Sequence, residues 1–412
     1  MKIAFIVDSF PSLSETFILN QISGLIDLGH NVEIFSGSRP SESKFHPEVQ
    51  QYHLLKQTNY YNEPPNNYFH RLWGAARMLP SCIRINFLAT LNSLNFIKQR
   101  RNALSMRIIY KIKHFLDKGP FDIIYCHFGP NGIQGTLLKR LGIKGKVITT
   151  FHGYDLSSYL VKNGSNIYDL LFQDGDLFLP ISVYWRNKLL NMGCPSDKIK
   201  VHHMGIDLDK FKFLPRKLSP GEPIRLLTIA RLVEKKGIFF SIQAVADILS
   251  KRQDIEYLIV GDGPLRKELT TQINQLGVAK QVKLLGWQSA DSTRSILEKA
   301  HIMILHSITS KTGDTEGIPV SLMEAMAMGL PVISTWHTGI PELIQDGHSG
   351  YLVKEKDMYD LNNKILVMIK NPSIWLEFGS AGREVVERDF NIKKLNKQFI
   401  DLCESLLADN VL

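Results

Sequence analysis

Apolar and polar positions alternate between short β-branched runs and longer amphipathic stretches along most of the chain. In the first half, this pattern predicts strands at 2–7, 32–35, 123–125, 147–150 and 178–181. The stretches between strands have helical periodicity, including one directly after the first strand. Strands that alternate with helices indicate a doubly wound parallel sheet.

The first helix has a recognisable start signal in the sequence Ser12-Leu13-Ser14-Glu15. Ser12 is in the N-cap position of a capping box and Glu15 is in its third helical position. This spacing predicts a helix that begins after Ser12 and ends before Gly29.

The alternation stops at 209–223, which holds three prolines and a glycine and few periodic apolar positions. It then restarts, so we expect an α/β fold with two Rossmann-like domains whose parallel sheets face a central cleft. The predicted boundaries are an N-terminal domain at 1–208, a linker at 209–223, a C-terminal domain at 224–390 and a final helix within 391–412 that packs back toward the N-terminal domain. The second half has predicted strands at 225–229, 257–260, 282–284, 302–305 and 332–334, and predicted helices at 236–250, 264–276, 291–299 and 319–328.

Composition is that of a globular protein, with 44% hydrophobic and 22% charged residues among 412. The apolar run Ile3–Val7 is too short for a signal peptide, and no run approaches the roughly 18 apolar residues of a membrane span. The four cysteines are far apart and fit no disulfide or metal spacing. We therefore expect a cytoplasmic protein.

The net charge of +9 is concentrated in the first half. Residues 1–210 hold 24 Lys and Arg against 16 Asp and Glu, whereas the remainder holds 25 against 24. Within 71–118, large apolar side chains accompany ten basic residues and one acidic residue, Asp117. The segment fits helices resting on an anionic membrane surface, or a solvated helical face over a core. Nucleic acid is not expected, because no binding motif accompanies the charge. The basic residues are Arg71, Arg77, Arg84, Lys98, Arg100, Arg101, Arg107, Lys111, Lys113 and Lys118.

Two carboxylates, Glu316 and Glu324, stand eight positions apart around a Gly/Pro loop and a predicted helix. Pro319 suits the first helical position, where its missing N–H costs nothing. The N–H groups of Val320 and Ser321 would then be free for an anion. A loop carboxylate for sugar hydroxyls, a phosphate site and a helix carboxylate for a ribose together outline a sugar-nucleotide site.

Arg231 and Lys236 follow the first predicted strand of the second half. Arginine offers a planar fork to phosphate oxygens and lysine a point charge, so the two could neutralise a diphosphate without metal. An ordinary solvated basic turn is the alternative. The intervening Lys235 has no predicted role, and its replacement is expected to change little.

His152 and Asp155 come directly after the predicted strand at 147–150. A histidine at this edge could orient a ligand or share a proton, or it could simply bond within its loop. Asp155 could bind acceptor hydroxyls or cap the next helix. The pair Asp314 and Glu316 could hold a cation, but no third ligand is evident.

Together these residues resemble retaining glycosyltransferase family 4, which has the GT-B architecture. The resemblance is strongest from Arg225 to Leu352, and the sequence 10–17 and the sequence 313–319 are similar to the colanic-acid and exopolysaccharide branch. The motifs that carry the resemblance are Arg231 and Lys236, Gly261-Asp262-Gly263-Pro264, Gly286, Glu316 to Glu324, His152-Gly153-Tyr154-Asp155 and Gly205-Ile206-Asp207.

The resemblance implies a role for each site residue. His152, Glu316, Arg231 and Lys236 would form the catalytic group, with His152 near the reacting sugar carbon. The donor would be held by Arg231, Lys236, Gly286, Glu316, Gly317, Ile318, Pro319, Val320, Ser321 and Glu324. Many members have paired glycines in the first loop, whereas this chain has Leu13-Ser14-Glu15, so Ser14 or Thr16 would contact phosphate instead.

The resemblance therefore predicts an enzyme that transfers a sugar from a nucleoside diphosphate, with UDP favoured, to a hydroxyl of a lipid-linked oligosaccharide. The anomeric configuration would be retained, without a metal or other cofactor, in the cytoplasm or on the cytoplasmic face of the membrane. A sugar-nucleotide epimerase, a sugar phosphorylase and a non-catalytic carbohydrate-binding subunit remain alternatives. An NAD dehydrogenase is disfavoured, because Gly261-Asp262-Gly263 lacks the third glycine of that motif.

Overall fold

The computed structural model describes residues 1–13, 15–40, 45–61, 64–95 and 105–408. Its strands form two six-stranded sheets, and every strand pairing within them is parallel. Helices connect successive strands, as a parallel sheet requires. The predicted two-domain α/β architecture is confirmed.

The N-terminal sheet has the strand order β3-β2-β1-β4-β5-β6. Its central strands are buried on both faces, which explains why their sequences are nearly continuous runs of Ile, Val and Phe. The strands are β1 (Lys2–Ser9), β2 (Asn31–Ser38), β3 (Thr58–Tyr60), β4 (Ile123–His127), β5 (Lys146–Phe151) and β6 (Leu177–Pro180). The helices of this half are α1 (Thr16–Asp27), α2 (Pro47–Gln51), α3 (Leu54–Gln57), α4 (Tyr68–Ile85), α5 (Phe87–Ser93), α6 (Arg107–Lys118), α7 (Gly129–Leu141), α8 (Ser158–Asn163), α9 (Asp169–Asp174) and α10 (Val183–Asn191).

The C-terminal sheet repeats this topology with the order β12-β11-β10-β7-β8-β9. In both sheets the chain starts near the centre, moves to one edge and crosses back, which leaves a switch point beside the first strand. The strands are β7 (Ile224–Ile229), β8 (Ile255–Val260), β9 (Val282–Gly286), β10 (Ile302–Ile304), β11 (Val332–Thr335) and β12 (Gly350–Val353). The helices are α11 (Ile238–Leu249), α12 (Arg266–Gln275), α13 (Ala290–Lys299), α14 (Val320–Ala327), α15 (Ile340–Leu343), α16 (Met358–Lys370), α17 (Ile374–Asp389) and α18 (Ile392–Ala408).

The sequence pattern missed the two short edge strands β3 and β12 and the paired helices α16 and α17. It also misplaced the start of α1, because the capping box does not form. Helix α1 begins at Thr16, and Glu15 precedes it without capping it through its side chain. The Glu15 N–H lies 3.4 Å from the Ser12 carbonyl oxygen.

The chain crosses between the two domains twice, near residue 206 and again at 391–392. Ile206 and Asn391 form a β-bridge, with reciprocal backbone hydrogen bonds of 2.9 and 3.0 Å to Phe390 and Ile392. Helix α18 then lies against the N-terminal domain, where Phe399 packs 4.5 Å from the ring of Tyr125. The second crossing therefore adds the last helix to the first domain's core.

The linker is packed rather than free. Arg216, which is 5% exposed, donates from its guanidinium to the carbonyl oxygens of Glu298, Ala300 and Met328. These three bonds fix the linker on the C-terminal domain. In the part of the chain that the structure describes, no helix combines the length and apolarity needed to cross a membrane.

Candidate active site

The predicted site residues lie at the carboxyl edges of the two sheets. His152 follows β5, Arg231 follows β7, and Glu316 is in the loop between β10 and α14. The two edges touch: a Cβ atom at Gly317 would lie 2.6 Å from the carbonyl oxygen of His152. Only glycine allows the acidic loop to approach the N-terminal domain this closely.

The centre of the cleft holds an ion pair between the Lys236 ammonium group and the Glu316 carboxylate. The side chains are 12% and 13% exposed. Burial alone would raise the pKa of Glu316, but the charges of Lys236 and Lys235 bring it down to about 2. Burial lowers the pKa of Lys236, and the charge of Glu316 offsets part of this effect. The loop carboxylate is therefore an ionised hydrogen-bond acceptor.

Lys235 lies in the same turn and is buried, so the turn is not an ordinary solvated one. Its Nζ lies 3.1 Å from a carboxylate oxygen of Asp314 and 3.1 Å from the carbonyl oxygen of Thr315. It is 8% exposed. Asp314 and Glu316 are thus each paired with a lysine, which leaves no acidic pair available for a cation.

Helix α14 starts one residue later than the sequence predicts. Pro319 is the N-cap residue, with extended backbone angles of φ −68° and ψ 122°, and Val320 is the first helical residue. The Pro319 carbonyl oxygen accepts from Leu322 N–H at 3.1 Å. The N–H groups of Val320 and Ser321 remain in the first turn, where no intrahelical acceptor exists, so the predicted anion-binding helix start is kept.

Arg231 extends from the C-terminal sheet edge and is exposed. Opposite it stands Glu15, in the loop that departs from the family's paired glycines. Burial and then the nearby Asp8 raise the pKa of Glu15 to about 7, while the charge of Arg231 opposes the rise. Arg231 is therefore the charged group of this edge that faces the N-terminal domain.

Glu324 lies on α14 one turn beyond the anion site and is half-buried. Burial raises its pKa to about 7, and Arg294 opposes the rise. A half-buried carboxylate at this position suits ribose hydroxyls, which would favour its ionised form.

The glycines in the turn at 261–264 allow it to pack closely against the segment after β7. A Cβ atom at Gly261 would lie 1.9 Å from the Ala230 carbonyl oxygen, and one at Gly263 would lie 2.6 Å from that of Leu232. These glycines therefore let the turn support the segment that carries Arg231. Gly286, at the end of β9, has φ +73°. A Cβ atom there would lie 3.4 Å from the guanidinium of Arg266, which donates to the Leu284 carbonyl oxygen at 3.3 Å.

His152 is 8% exposed and shares a 3.0 Å hydrogen bond between its Nε2 and Nδ1 of His127. The rings of Phe17 and Phe128 lie 4.8 and 4.4 Å from its ring. Burial lowers the pKa of His152 to about 3, so the imidazole is neutral near pH 7. This environment suits an orienting hydrogen bond better than proton donation.

Asp155 is fully buried, so it does not present a carboxylate to an acceptor. Its oxygens accept from the backbone N–H groups of Gly129 at 2.9 Å, His152 at 3.0 Å and Gly153 at 2.8 Å. Burial raises the pKa of Asp155 to about 6 despite these bonds. The residue shapes the loop that carries His152, because it joins the start of α7 to the end of β5.

Two residues of the N-terminal loop, Ser14 and Thr16, were predicted to contact phosphate. Thr16 is the first residue of α1, so its backbone is at a helix start as expected. Ser14 lies outside the described residues. No group of three or more His, Cys, Asp or Glu side chains within those residues is arranged to hold a metal ion.

Sequence reasoning missed three residues that brace Glu316. His337 and Thr338 follow β11 and hydrogen-bond to the backbone of Glu316, and Glu355 holds His337. The signal was available, since His337 stands at the carboxyl end of a strand, as His152 does.

Comparison with known proteins decides the family. The model of Glycosyltransferase Family 4 matches residues 14–210, and that of Glycosyl transferases group 1 matches residues 209–385. AmsK of Erwinia amylovora, named an amylovoran biosynthesis glycosyltransferase, is 36% identical over 98% of this chain and 100% of its own. The chain belongs to glycosyltransferase family 4. It is therefore a glycosyltransferase, as the motifs predicted.

A second relative of this family 4 chain is WcaL of Salmonella typhimurium, provisionally named a colanic acid biosynthesis glycosyltransferase. It is 36% identical over 98% of this chain and 100% of its own. Among solved structures, Alr3699/HepE of Anabaena in complex with UDP-glucose superposes with a TM-score of 0.72 at 18% identity, covering 98% of this chain and all of its own. This likeness shows the GT-B fold.

Proposed function

We propose that this family 4 enzyme transfers a sugar from a UDP-sugar to a hydroxyl of a growing lipid-linked oligosaccharide, with retention of configuration, during exopolysaccharide synthesis. The observation that carries the proposal is the buried Lys236–Glu316 pair beside Arg231 and the first turn of α14. The fixed Glu316 carboxylate would accept from sugar hydroxyls, and the two cations and the N–H groups of the first turn would bind a diphosphate.

The transfer breaks the bond between the anomeric carbon and the β-phosphate oxygen. Negative charge then develops on the diphosphate, where Arg231, Lys236 and the N–H groups of Val320 and Ser321 would stabilise it. The acceptor oxygen bonds to the anomeric carbon on the same face, and its proton passes to the departing phosphate oxygen. We assign no protein nucleophile and no metal to this step.

The other donor contacts follow from position. Glu316 would accept from donor sugar hydroxyls, with the backbone of Gly317 and Ile318 beside it, and Glu324 would accept from the ribose. Neutral His152 would orient the sugar near the reacting carbon. UDP is the favoured nucleotide because HepE was solved with UDP-glucose, and exopolysaccharide synthesis is favoured by the names of WcaL and AmsK.

A donor panel tests this function. Purified protein is incubated with UDP- and GDP-sugars, with and without a lipid-linked acceptor from the producing cells, and with and without chelator. We expect acceptor-dependent release of UDP that survives chelation, and an α-linked product from an α-linked donor. Release without acceptor, sugar phosphate formation or strict metal dependence would each contradict the proposal.

We also propose that α4 and α5 rest on an anionic membrane. The two helices expose several large apolar side chains, some of them more than half exposed. Two exposed arginines accompany them: Arg84 and Arg77, whose guanidinium stacks 3.4 Å from the centroid of the Trp73 ring. The exposed apolar side chains are Tyr68, Phe69, Leu72, Trp73, Ile83, Ile85, Phe87, Leu88 and Leu91.

The rest of the basic segment contributes less than its charge suggests. Arg71 is buried and donates to the carbonyl oxygens of Pro65 and Ser105. On α6, Lys111 donates to Gln134, Lys113 pairs with Asp117, and Lys118 pairs with Glu33. Lys98, Arg100 and Arg101 lie outside the described residues. The membrane proposal is therefore confined to the face of α4 and α5, where aromatic and basic side chains are adjacent.

A further inference from the structure

A chain of hydrogen bonds reaches the acidic loop from behind the site. Nδ1 of His337 lies 2.6 Å from Oε1 of Glu355, and Nε2 of His337 lies 3.0 Å from the backbone nitrogen of Glu316. The His337 residue is 2% exposed. A buried imidazole thus connects a carboxylate after β12 to the backbone of the residue proposed to hold the donor sugar.

The direction of these bonds fixes the state of the imidazole. A backbone N–H can only donate, so Nε2 of His337 accepts from Glu316 and carries no proton. Nδ1 must then carry the proton and donate it to Glu355. Burial would raise the pKa of Glu355, but bonds from Thr309 N–H and from His337 lower it, which keeps an ionised acceptor beside the ring.

Glu355 is itself held in place. Its Oε2 accepts from the Thr309 N–H at 2.7 Å, in the segment that follows β10. The carboxylate therefore joins the ends of β10 and β12, with His337 at the end of β11 between them. Residues that follow three neighbouring strands of the sheet thus hold the backbone N–H of Glu316 in a fixed position.

A second contact holds the other side of the same residue. The hydroxyl of Thr338 donates to the carbonyl oxygen of Glu316 at 2.9 Å and also approaches that of Gly317 at 3.2 Å. Thr338 has φ +45°, a left-handed conformation that is rare for a β-branched residue. Such backbone strain persists where surrounding contacts over-determine it, and it occurs preferentially at ligand sites.

We infer that His337 is a positioning residue of the donor site, which holds the Glu316 backbone so that its carboxylate and the N–H groups toward Val320 meet sugar and diphosphate together. This role rests on the proposed function. Misplacement of a binding group by about 1 Å can cost about a hundredfold in rate. His337 does not touch substrate, so its effect passes through Glu316.

The substitutions His337→Ala and His337→Gln separate this role from simple packing. Alanine removes the acceptor, whereas the Gln side-chain oxygen can take the place of Nε2. We expect His337→Ala to raise the KM for the UDP-sugar about tenfold and to lower kcat, with a Tm within a few degrees of the parent. His337→Gln should restore most of both parameters. The exposed His348, replaced by Ala, is the control and should change neither.

A second readout is independent of transfer. Hydrogen exchange of the ligand-free protein reports the Glu316 amide directly, and we expect faster exchange in His337→Ala than in the parent or in His337→Gln. Unchanged exchange at Glu316 would overturn the inference, as would equal losses of activity and Tm in the Ala and Gln variants. If the parent protein transferred no sugar, the proposed function would be refuted. The hydrogen-exchange result would then still test the positioning role of His337.

Discussion

The Lys236 ammonium group and the Glu316 carboxylate form an ion pair at the centre of the cleft, with side chains 12% and 13% exposed. Lys236 belongs to the turn after β7, and Glu316 belongs to the loop before α14. The pair therefore links a cation suited to diphosphate with an anion suited to sugar hydroxyls. If a donor bound at this pair, the Lys236 ammonium group would contact a phosphate oxygen and would still be paired with Glu316.

Removal of one partner should cost stability. In Lys236→Met the carboxylate of Glu316 stays buried without its cation, so we expect the free energy of unfolding to fall by about 3–5 kcal/mol. The double variant Lys236→Met with Glu316→Gln should recover most of this loss, because it leaves no unpaired charge. Chemical denaturation measures both. Equal stability of the single variant and the parent would contradict the burial of the pair.

Neither Lys236→Met nor the double variant with Glu316→Gln should transfer sugar. The double variant recovers the fold but lacks both the cation and the anion, so we expect kcat/KM to remain at least a hundredfold below that of the parent. A double variant with restored activity would show that the pair is structural only.

Arg231 should matter to rate and not to stability. It is exposed, so Arg231→Ala should change the free energy of unfolding by less than about 0.5 kcal/mol. Loss of its charge opposite the diphosphate should lower kcat/KM about a hundredfold. The matched control is Lys251→Ala, an exposed cation at the end of α11. If both variants lose rate equally, the phosphate has been placed wrongly.

Glu324 should make stability depend on pH. Because burial raises its pKa to about 7, the folded state holds this proton more tightly than the unfolded chain, whose ordinary value is 4.5. The favourable contribution is complete below about pH 4.5 and is lost as the pH rises through about 7. Glu324→Gln should therefore be more stable than the parent at pH 8.5, by up to about 3 kcal/mol, and similar at pH 4.5.

The control for this experiment is Glu268→Gln, an exposed carboxylate on α12. It should shift stability little at either pH. Equal melting temperatures of Glu324→Gln and the parent at pH 8.5 would show that Glu324 is solvated. Binding of UDP should also strengthen from pH 6 to pH 8 in the parent, since the ribose would bind the ionised carboxylate.

Membrane binding should depend on the face of α4 and α5. We expect the parent to float with vesicles that contain 30% phosphatidylglycerol and not with pure phosphatidylcholine vesicles. Arg77→Glu with Arg84→Glu should weaken binding about tenfold or more at low salt, since each basic residue near the surface contributes about 1 kcal/mol. Phe87→Ser with Leu88→Ser should weaken it at any salt concentration.

Charge reversal on the other domain provides the comparison. Lys251→Glu with Lys267→Glu changes the net charge by the same amount at exposed positions of the C-terminal domain. It should float like the parent. A parent protein that does not bind anionic vesicles at low salt would remove the membrane proposal.

Local patterns were sufficient for most of the fold. Strand β1 could be predicted because Ile3–Val7 is a continuous apolar run that is buried on both faces. Strands β3 and β12 are edge strands of only three and four residues, so their sequences have little periodic signal. The capping-box pattern misplaced the start of α1, because Glu15 and not Ser12 is the residue that precedes the first helical residue, Thr16.

For the candidate site, the sequence determined the family and the residues that carry charge at the sheet edges, because the spacing of Glu316 and Glu324 and the order of strands are local properties. Only the tertiary structure decided how those charges are used. It buried Lys235 against Asp314, occupied Asp155 with three backbone N–H groups and placed His337 behind Glu316. Burial and pairing arise from contacts between residues distant in sequence, so no local pattern could distinguish a supporting residue from one that meets the substrate.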